Sequence, residues 1–255
     1  MLEIKDSNGK LIRTISSKGV KGFSGWAGGP PPKPLLTKKE GLNRFVWDMR
    51  YPVMSGVPNV YIEASYRGHK APPGSYTFTL KNGKNSVSTE ALILPNPTYP
   101  TTSAEYGEFD NVMSGMETEV TKMHNMINSF YRMQKQLVSV LKALPKEAKY
   151  NAARKGAEKL LAKMKAWDED MVQRKTQAYD DVENFENKFS ANYMFMMNQT
   201  ESEIPRVNKP SLELMGQMNA EWTTLQLRAD EILNTDIPAV NKLLFDAGLG
   251  AVWKN

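Results

Sequence analysis

Gly41-Leu42-Asn43-Arg44-Phe45-Val46-Trp47-Asp48 decides the reading of the N-terminal half. Alternation puts Asn43, Phe45 and Trp47 on one side and Leu42, Arg44, Val46 and Asp48 on the other, the pattern of a short half-buried strand. Two flanking stretches answer it. Leu2–Ile4 and Leu11–Ile15 enclose Asp6-Ser7-Asn8-Gly9, and Asn-Gly is the strongest short hairpin signal because it tolerates positive φ. Pro72-Pro73-Gly74 turns the chain into Tyr76, Phe78 and Leu80, which alternate, and Asn82-Gly83 makes a second hairpin with Val87–Leu94. Val60–Ala64 reads as a further edge strand. About six short strands with turns between them predict an antiparallel β-sandwich over residues 1–95.

Residues 17–36 carry Gly19, Gly22, Gly25, Gly28 and Gly29, then Pro30-Pro31-Pro32 and Pro34, so this run is a loop. Phe23 and Trp26 sit in it. Together with Tyr61 and Tyr66 of the 51–70 loop they could stack on a sugar or peptide; the other reading folds them back as a cap on the core. Asp48 at the strand end is expected to accept backbone N–H bonds in the following turn.

Pro95-Asn96-Pro97-Thr98-Tyr99-Pro100 is a stiff linker, placed at 96–102, and composition changes after it. From a start at Ser103, with Glu105 and Glu108 in the first turn, apolar residues recur by four and three. They are Phe109, Met113, Met116, Val120, Met123, Ile127 and Phe130, then a polar break at Gln134, then Leu137, Leu141 and Leu144. A second seam runs through Ala153, Ala157, Leu160, Met164, Trp167 and Met171, slips at Arg174, and resumes at Ala178, Val182, Phe185 and Phe189. A third helix from about Ser211 carries Met215, Met218, Trp222, Leu225, Ala229, Ile232 and Leu233, with Pro238 set to kink or restart it. Residues 103–255 are thus predicted to form a long up-down-up three-helix bundle, and the fold class is α+β with two domains. Tyr193, Met194, Met196 and Met197 fall outside the periodic pattern, which makes them candidate contacts for an apolar partner.

Residues 1–100 hold 14 Lys+Arg against 6 Asp+Glu, or +8, and residues 101–255 hold 19 against 22, or −3, so the positive charge lies in the first part. No basic–aromatic recognition motif accompanies it, and nucleic acid is not indicated. The chain has no cysteine, hence no disulfide or thiolate metal site. It has no phosphate-cradling glycine motif. His69, read as a loop residue, and His124, read as a solvated or flank position, are its only histidines. No catalytic, cofactor or metal site is implied, and no stretch reaches the ~20 apolar residues of a membrane span. An acid–imidazole grouping in a sheltered hollow would count against this non-enzymatic reading.

Ile4-Lys5-Asp6, Asn8-Gly9-Lys10, Gly41-Leu42-Asn43, Trp47-Asp48 and Pro72-Pro73-Gly74-Ser75-Tyr76 resemble the Ig-like fold of flagellar hook-capping proteins. Asn43–Pro52, and the passage from a Pro-rich linker into long helices, resemble the C-terminal region of large secreted bacterial proteins with sortilin-type or neuraminidase-repeat propellers, often labelled glycosyl hydrolases. The resemblance implies an Ig-like sandwich and export to the periplasm, cell surface or medium. It also implies a non-catalytic accessory role, with a protein partner or parent propeller. Met49 stands where such modules often carry glycine after Trp-Asp. The chain opens directly in an apparent strand, so it is expected to be a piece of a longer protein. Two alternatives stand beside this one. One is a glycan-binding module using the loop aromatics. The other is a glycosidase with activity in this chain, which predicts a deep cleft at the domain junction lined by Asp, Glu or His.

Overall fold

A computed structural model describes residues 1–19, 24–201 and 204–250. The N-terminal part is a four-stranded antiparallel sheet: β1 (Leu2–Asp6), β2 (Leu11–Ile15), β3 (Gly74–Asn82) and β4 (Asn85–Ile93), in the order β2-β1-β3-β4. Both Asn-Gly sites are turns, with Gly9 at φ 78° and Gly83 at φ 60°. Ile4 pairs with Arg13 on one side and Phe78 on the other. A small core of Ile4, Ile12, Ile15, Tyr51, Ala71 and Tyr76 forms on one face.

No second sheet is present among the described residues. The segment 42–48 forms no ladder, yet its alternation is kept. Phe45 and Trp47 turn onto the sheet core while Leu42 and Val46 are exposed. Trp47 meets Tyr76 and Phe78 edge-on, at 5.6 and 5.8 Å between ring centres. Side chains fix this stretch where strand pairing was expected. Asn43 closes its own loop on Lys39 and Gly41. Asp48 accepts from the Arg50 backbone N–H, as expected of it, and also from the Arg13 guanidinium at 2.6 Å. Met49 adopts φ 55°, so methionine occupies a left-handed position that favours glycine. Residues 60–64 form no strand either.

Helix α1 (Ser103–Ala143) is about 60 Å long at ~1.5 Å per residue. Thr102 and Glu105 form a reciprocal capping box at its start. Every seam residue from Phe109 to Leu137 is buried, Gln134 included, whose amide donates to the Met164 carbonyl at 3.2 Å. Each such apolar side chain contributes roughly 1.5–3 kcal/mol on burial. A 3₁₀ turn (Ala148–Tyr150) leads into α2 (Asn151–Met171), which lies antiparallel to α1. Arg154 reaches the Leu144 carbonyl at one end, and Phe130 lies 4.3 Å from Trp167 at the other.

The expected continuation of the second helix to Phe189 is not found. The helix ends at Met171, followed by the single turn α3 (Asp181–Asn184) and then α4 (Phe189–Thr200). Asp168 is buried and takes its counter-charge from Arg174. Six residues is beyond the i+4 reach of a continuing helix, so the chain leaves the axis to make the pair. Helix α4 resumes the direction of α2, antiparallel to α5 (Lys209–Glu231): Phe189 stacks on Trp222 and Tyr193 donates to Asn219. A π-turn (Ile232–Asp236) widens the last helix just before Pro238, which lacks the N–H an α-turn would use, and α6 (Ile237–Asp246) follows. Trp167 donates to the Leu225 carbonyl and Lys163 pairs with Asp236, so α5 and α6 run antiparallel to α2. No helix among the described residues is long and apolar enough to cross a membrane.

The division at 96–102 does not describe the packing. Met54, Val57, Val60, Ile62 and Tyr66, all N-terminal to the linker, belong to the core of the helical half.

Candidate functional site

The junction is made by the excursion 51–69, whose neck is closed by an antiparallel bridge between Arg50 and Lys70. From that neck the chain lies along α1 as a strap. Asp110, Glu117 and His124 occur at seven-residue spacing beside the apolar seam, so they form one column on the helix, and each binds the strap. Asp110 and Glu117 hold His69, His124 Nδ1 lies 2.6 Å from the Ser55 carbonyl, and Asn128 donates to the Gly56 carbonyl.

His69 is fully buried. Its Nδ1 is 2.8 Å from Glu117 Oε1 and its Nε2 is 3.0 Å from Asp110 Oδ1. Tyr51 stacks on the ring at 4.2 Å and 13°, and the Tyr51 hydroxyl hydrogen-bonds Asp110. Burial disfavours the charged ring, but the hydrogen bonds and charges of Asp110 and Glu117 outweigh it and raise the pKa to about 9. Burial likewise pushes Asp110 up, and the bonds from His69 and Tyr51 leave it below its ordinary value. His124 is the opposite case: burial without a counter-charge lowers it to about 4. His69 does lie in a loop, as expected, but a buried one, and the reading of His124 as solvated is corrected. Both lie inside, because the strap covers a face of α1 that periodicity alone leaves open.

Beside this cluster is a cleft of about 410 Å³ between sheet and helices, lined by Arg50, Lys70, Pro72, Phe109, Asp110 and Glu201 among others. Arg50 crosses it, donating to the Gly68 carbonyl at 2.9 Å and to Glu201 at 2.6 Å. An acid–imidazole grouping in a sheltered hollow thus exists, where none was expected. Its chemistry is that of a clamp. With both ring nitrogens carrying protons toward carboxylates, His69 has no lone pair for a proton, a metal or an acyl group. The Glu201 carboxylate is likewise spent on Arg50. Among the described residues, no group of three His, Asp or Glu side chains is placed to hold a metal ion.

The aromatic candidates are placed as follows. Phe23 lies outside the described residues. Trp26 folds back, donating to the Val60 carbonyl at 2.9 Å and covering Gly29 and Gly56 so closely that a Cβ on either would come within 3 Å of its ring. Tyr61 lies over Gly28 and meets Tyr179 edge-on at 6.3 Å. Tyr66 is buried against His124. Tyr193, Met194, Met196 and Met197 are buried in the helical core and present no surface to a partner; Phe195 between them is the exposed one, at 58%. They escaped the seam pattern because α4 is a short helix covered on several sides, not because they face solvent.

No family model matches the chain, and no curated protein or solved structure matches it.

Proposed function

We propose that this chain is a non-catalytic accessory and assembly module of an exported or cell-surface protein, making contacts between protein parts through its sheet and using the helices as a rigid spacer. The observation that carries this reading is β4. It is a nine-residue edge strand, exposed on both faces over residues 85–92. A long, bare strand edge is a ready template for another strand. In the same reading, the sheet and the segment 35–48 laid over it are a reduced form of the Ig-like layer pair of hook-capping modules. The helices are an up-down-up bundle whose middle arm, α2 and α4, is interrupted. The histidine clamp fits such a role, since it fixes the sheet to the helices without offering a reactive group.

A photo-crosslinking residue at Ser88 tests the reading in cells that make the protein. Covalent adducts with protein are expected at Ser88, and none at Lys155 on the exposed side of α2. Absence of adducts at Ser88 overturns it.

The junction cleft, with Asp110 and Glu201 in its wall, carries a second reading as a hydrolase acting on glycosides, which requires substrate to release these carboxylates from His69 and Arg50. Turnover of glycosidic substrates by the wild-type chain, lost in Asp110→Asn, would establish it. Glycan binding by the loop aromatics predicts calorimetric heat with polysaccharide that disappears in Trp26→Phe, a change that keeps the packing over Gly29.

A further inference from the structure

We infer that β4 pairs antiparallel with the β4 of a second copy of this chain, about a two-fold axis at Val87. This names the partner for the assembly reading above and rests on it.

The two edges of the sheet are treated differently. The β2 edge is five residues long, its register with β1 shifts between Ile4 and Lys5, Arg13 in it is tied to Asp48, and the chain beyond it bridges to Leu35. Short length, irregular pairing and a charged residue are the ordinary guards of an edge. The β4 edge is long and regular, and Glu90 is its one charged residue. It pairs with β3 without a shift from Asn82↔Asn85 to Gly74↔Ile93, and it contains no lysine, arginine or proline.

The two-residue turn Gly83-Lys84 makes Asn82 and Asn85 a hydrogen-bonded pair. By alternation Ser86, Ser88, Glu90 and Leu92 turn their N–H and C=O groups outward, away from β3. The face shared by Val87 and its cross-strand neighbour Leu80 is apolar and uncovered, at 65% and 48% exposure.

The strand is complementary to itself in one register. With Val87 on the axis, Ser86 faces Ser88 of the second copy, Asn85 faces Thr89, and Glu90 faces Lys84, each pairing occurring twice. Neither Glu90 nor Lys84 makes an ion pair among the described residues, so both are free for this one. Sliding Glu90 opposite its own symmetry mate would set like charges against each other. The Val87 pair is of the non-hydrogen-bonded kind, with Cα atoms ~4.5 Å apart, and brings the two bare apolar faces side by side.

The chain has no cysteine, which makes the test direct. Sedimentation of the wild-type chain from ~1 µM to ~1 mM should show the mass rising from 28.7 kDa toward twice that. Val87→Cys should form a disulfide-linked dimer under mild oxidation, since ~4.5 Å lies within disulfide reach, whereas Thr89→Cys should not. Ser88→Pro removes an outward N–H and one exposed hydroxyl bond to Thr79, and should abolish the dimer while leaving the circular dichroism spectrum unchanged; Ser88→Ala, which removes that hydroxyl bond alone, should still dimerise. Glu90→Lys should weaken association roughly tenfold, and adding Lys84→Glu should restore it. A wild-type chain that stays monomeric throughout, or a Thr89→Cys dimer forming as fast as the Val87→Cys dimer, overturns the proposal. If the chain is monomeric but Ser88 still crosslinks to a different protein, self-pairing fails and the assembly reading stands. If neither occurs, both fail.

Discussion

Glu117 is held twice by His69: one carboxylate oxygen, Oε1, accepts the backbone N–H at 2.6 Å and lies 2.8 Å from ring Nδ1. A single helix side chain therefore anchors both the main chain and the side chain of the strap. Removing it would leave a buried imidazolium short of one partner and a backbone N–H without an acceptor. Glu117→Ala is expected to lower the unfolding free energy by about 3 kcal/mol in urea titrations, whereas exposed Glu108→Ala should change it by less than ~0.5 kcal/mol.

The two histidines give opposite pH dependences. His69 has a folded pKa of about 9, above the ordinary 6.5, so its stabilisation is complete below pH 6.5 and lost as pH rises through 9. His124 has a folded pKa of about 4, below 6.5, so its stabilisation is complete above pH 6.5 and lost as pH falls toward 4. Each is worth on the order of 3 kcal/mol. Urea midpoints measured from pH 4 to 9.5 should peak near neutrality. His69→Gln should flatten the alkaline limb. His124→Gln should flatten the acid limb between pH 6.5 and 4, since the lowered Asp110 carboxyl gives up its stabilisation only below its ordinary 3.8.

Met49 at φ 55° tests the turn after Trp47-Asp48. The left-handed region costs an ordinary residue roughly 1 kcal/mol and glycine almost nothing. Met49→Gly is expected to raise the unfolding free energy by up to ~1 kcal/mol, and Met49→Val to lower it by more than ~1 kcal/mol, since a branched Cβ fits this conformation worst.

Glycines on the two sides of the junction should respond in opposite senses. Gly115 lies in α1, and an added Cβ meets nothing within 4 Å, so Gly115→Ala should stabilise by about 1 kcal/mol through helix propensity. Gly68 lies where the strap returns, and a Cβ there would come 2.6 Å from the Tyr51 backbone. Gly68→Ala should cost about 2 kcal/mol or more, seen as a lower thermal midpoint and faster hydrogen exchange at His69.

What the sequence reveals follows from the range of the interactions. The α1 seam was legible residue by residue because its contacts repeat with helical period. The hairpins were legible because Asn8-Gly9 and Asn82-Gly83 carry their own geometry. Residues 42–48 show the limit of alternation, since Phe45 and Trp47 need only one buried side, which loose packing on a sheet supplies as well as a ladder does. The early end of α2 depends on one buried carboxylate, Asp168, finding Arg174. The clamp was missed because His69 reaches residues 41 and 48 positions away, from a loop with no period. A trace of it is nevertheless present: Asp110, Glu117 and His124 stand one heptad apart, a polar column beside the seam.

The gap between Met171 and Phe189 acquires a purpose from what enters it. There the Thr176 carbonyl is freed from helix bonding and accepts the Tyr61 N–H at 2.8 Å. The interruption is a socket, and the strap is the plug that fits it. Refilling 172–188 with strong helix formers would make a tidier rod, and it would evict the very loop that fastens the sheet in place.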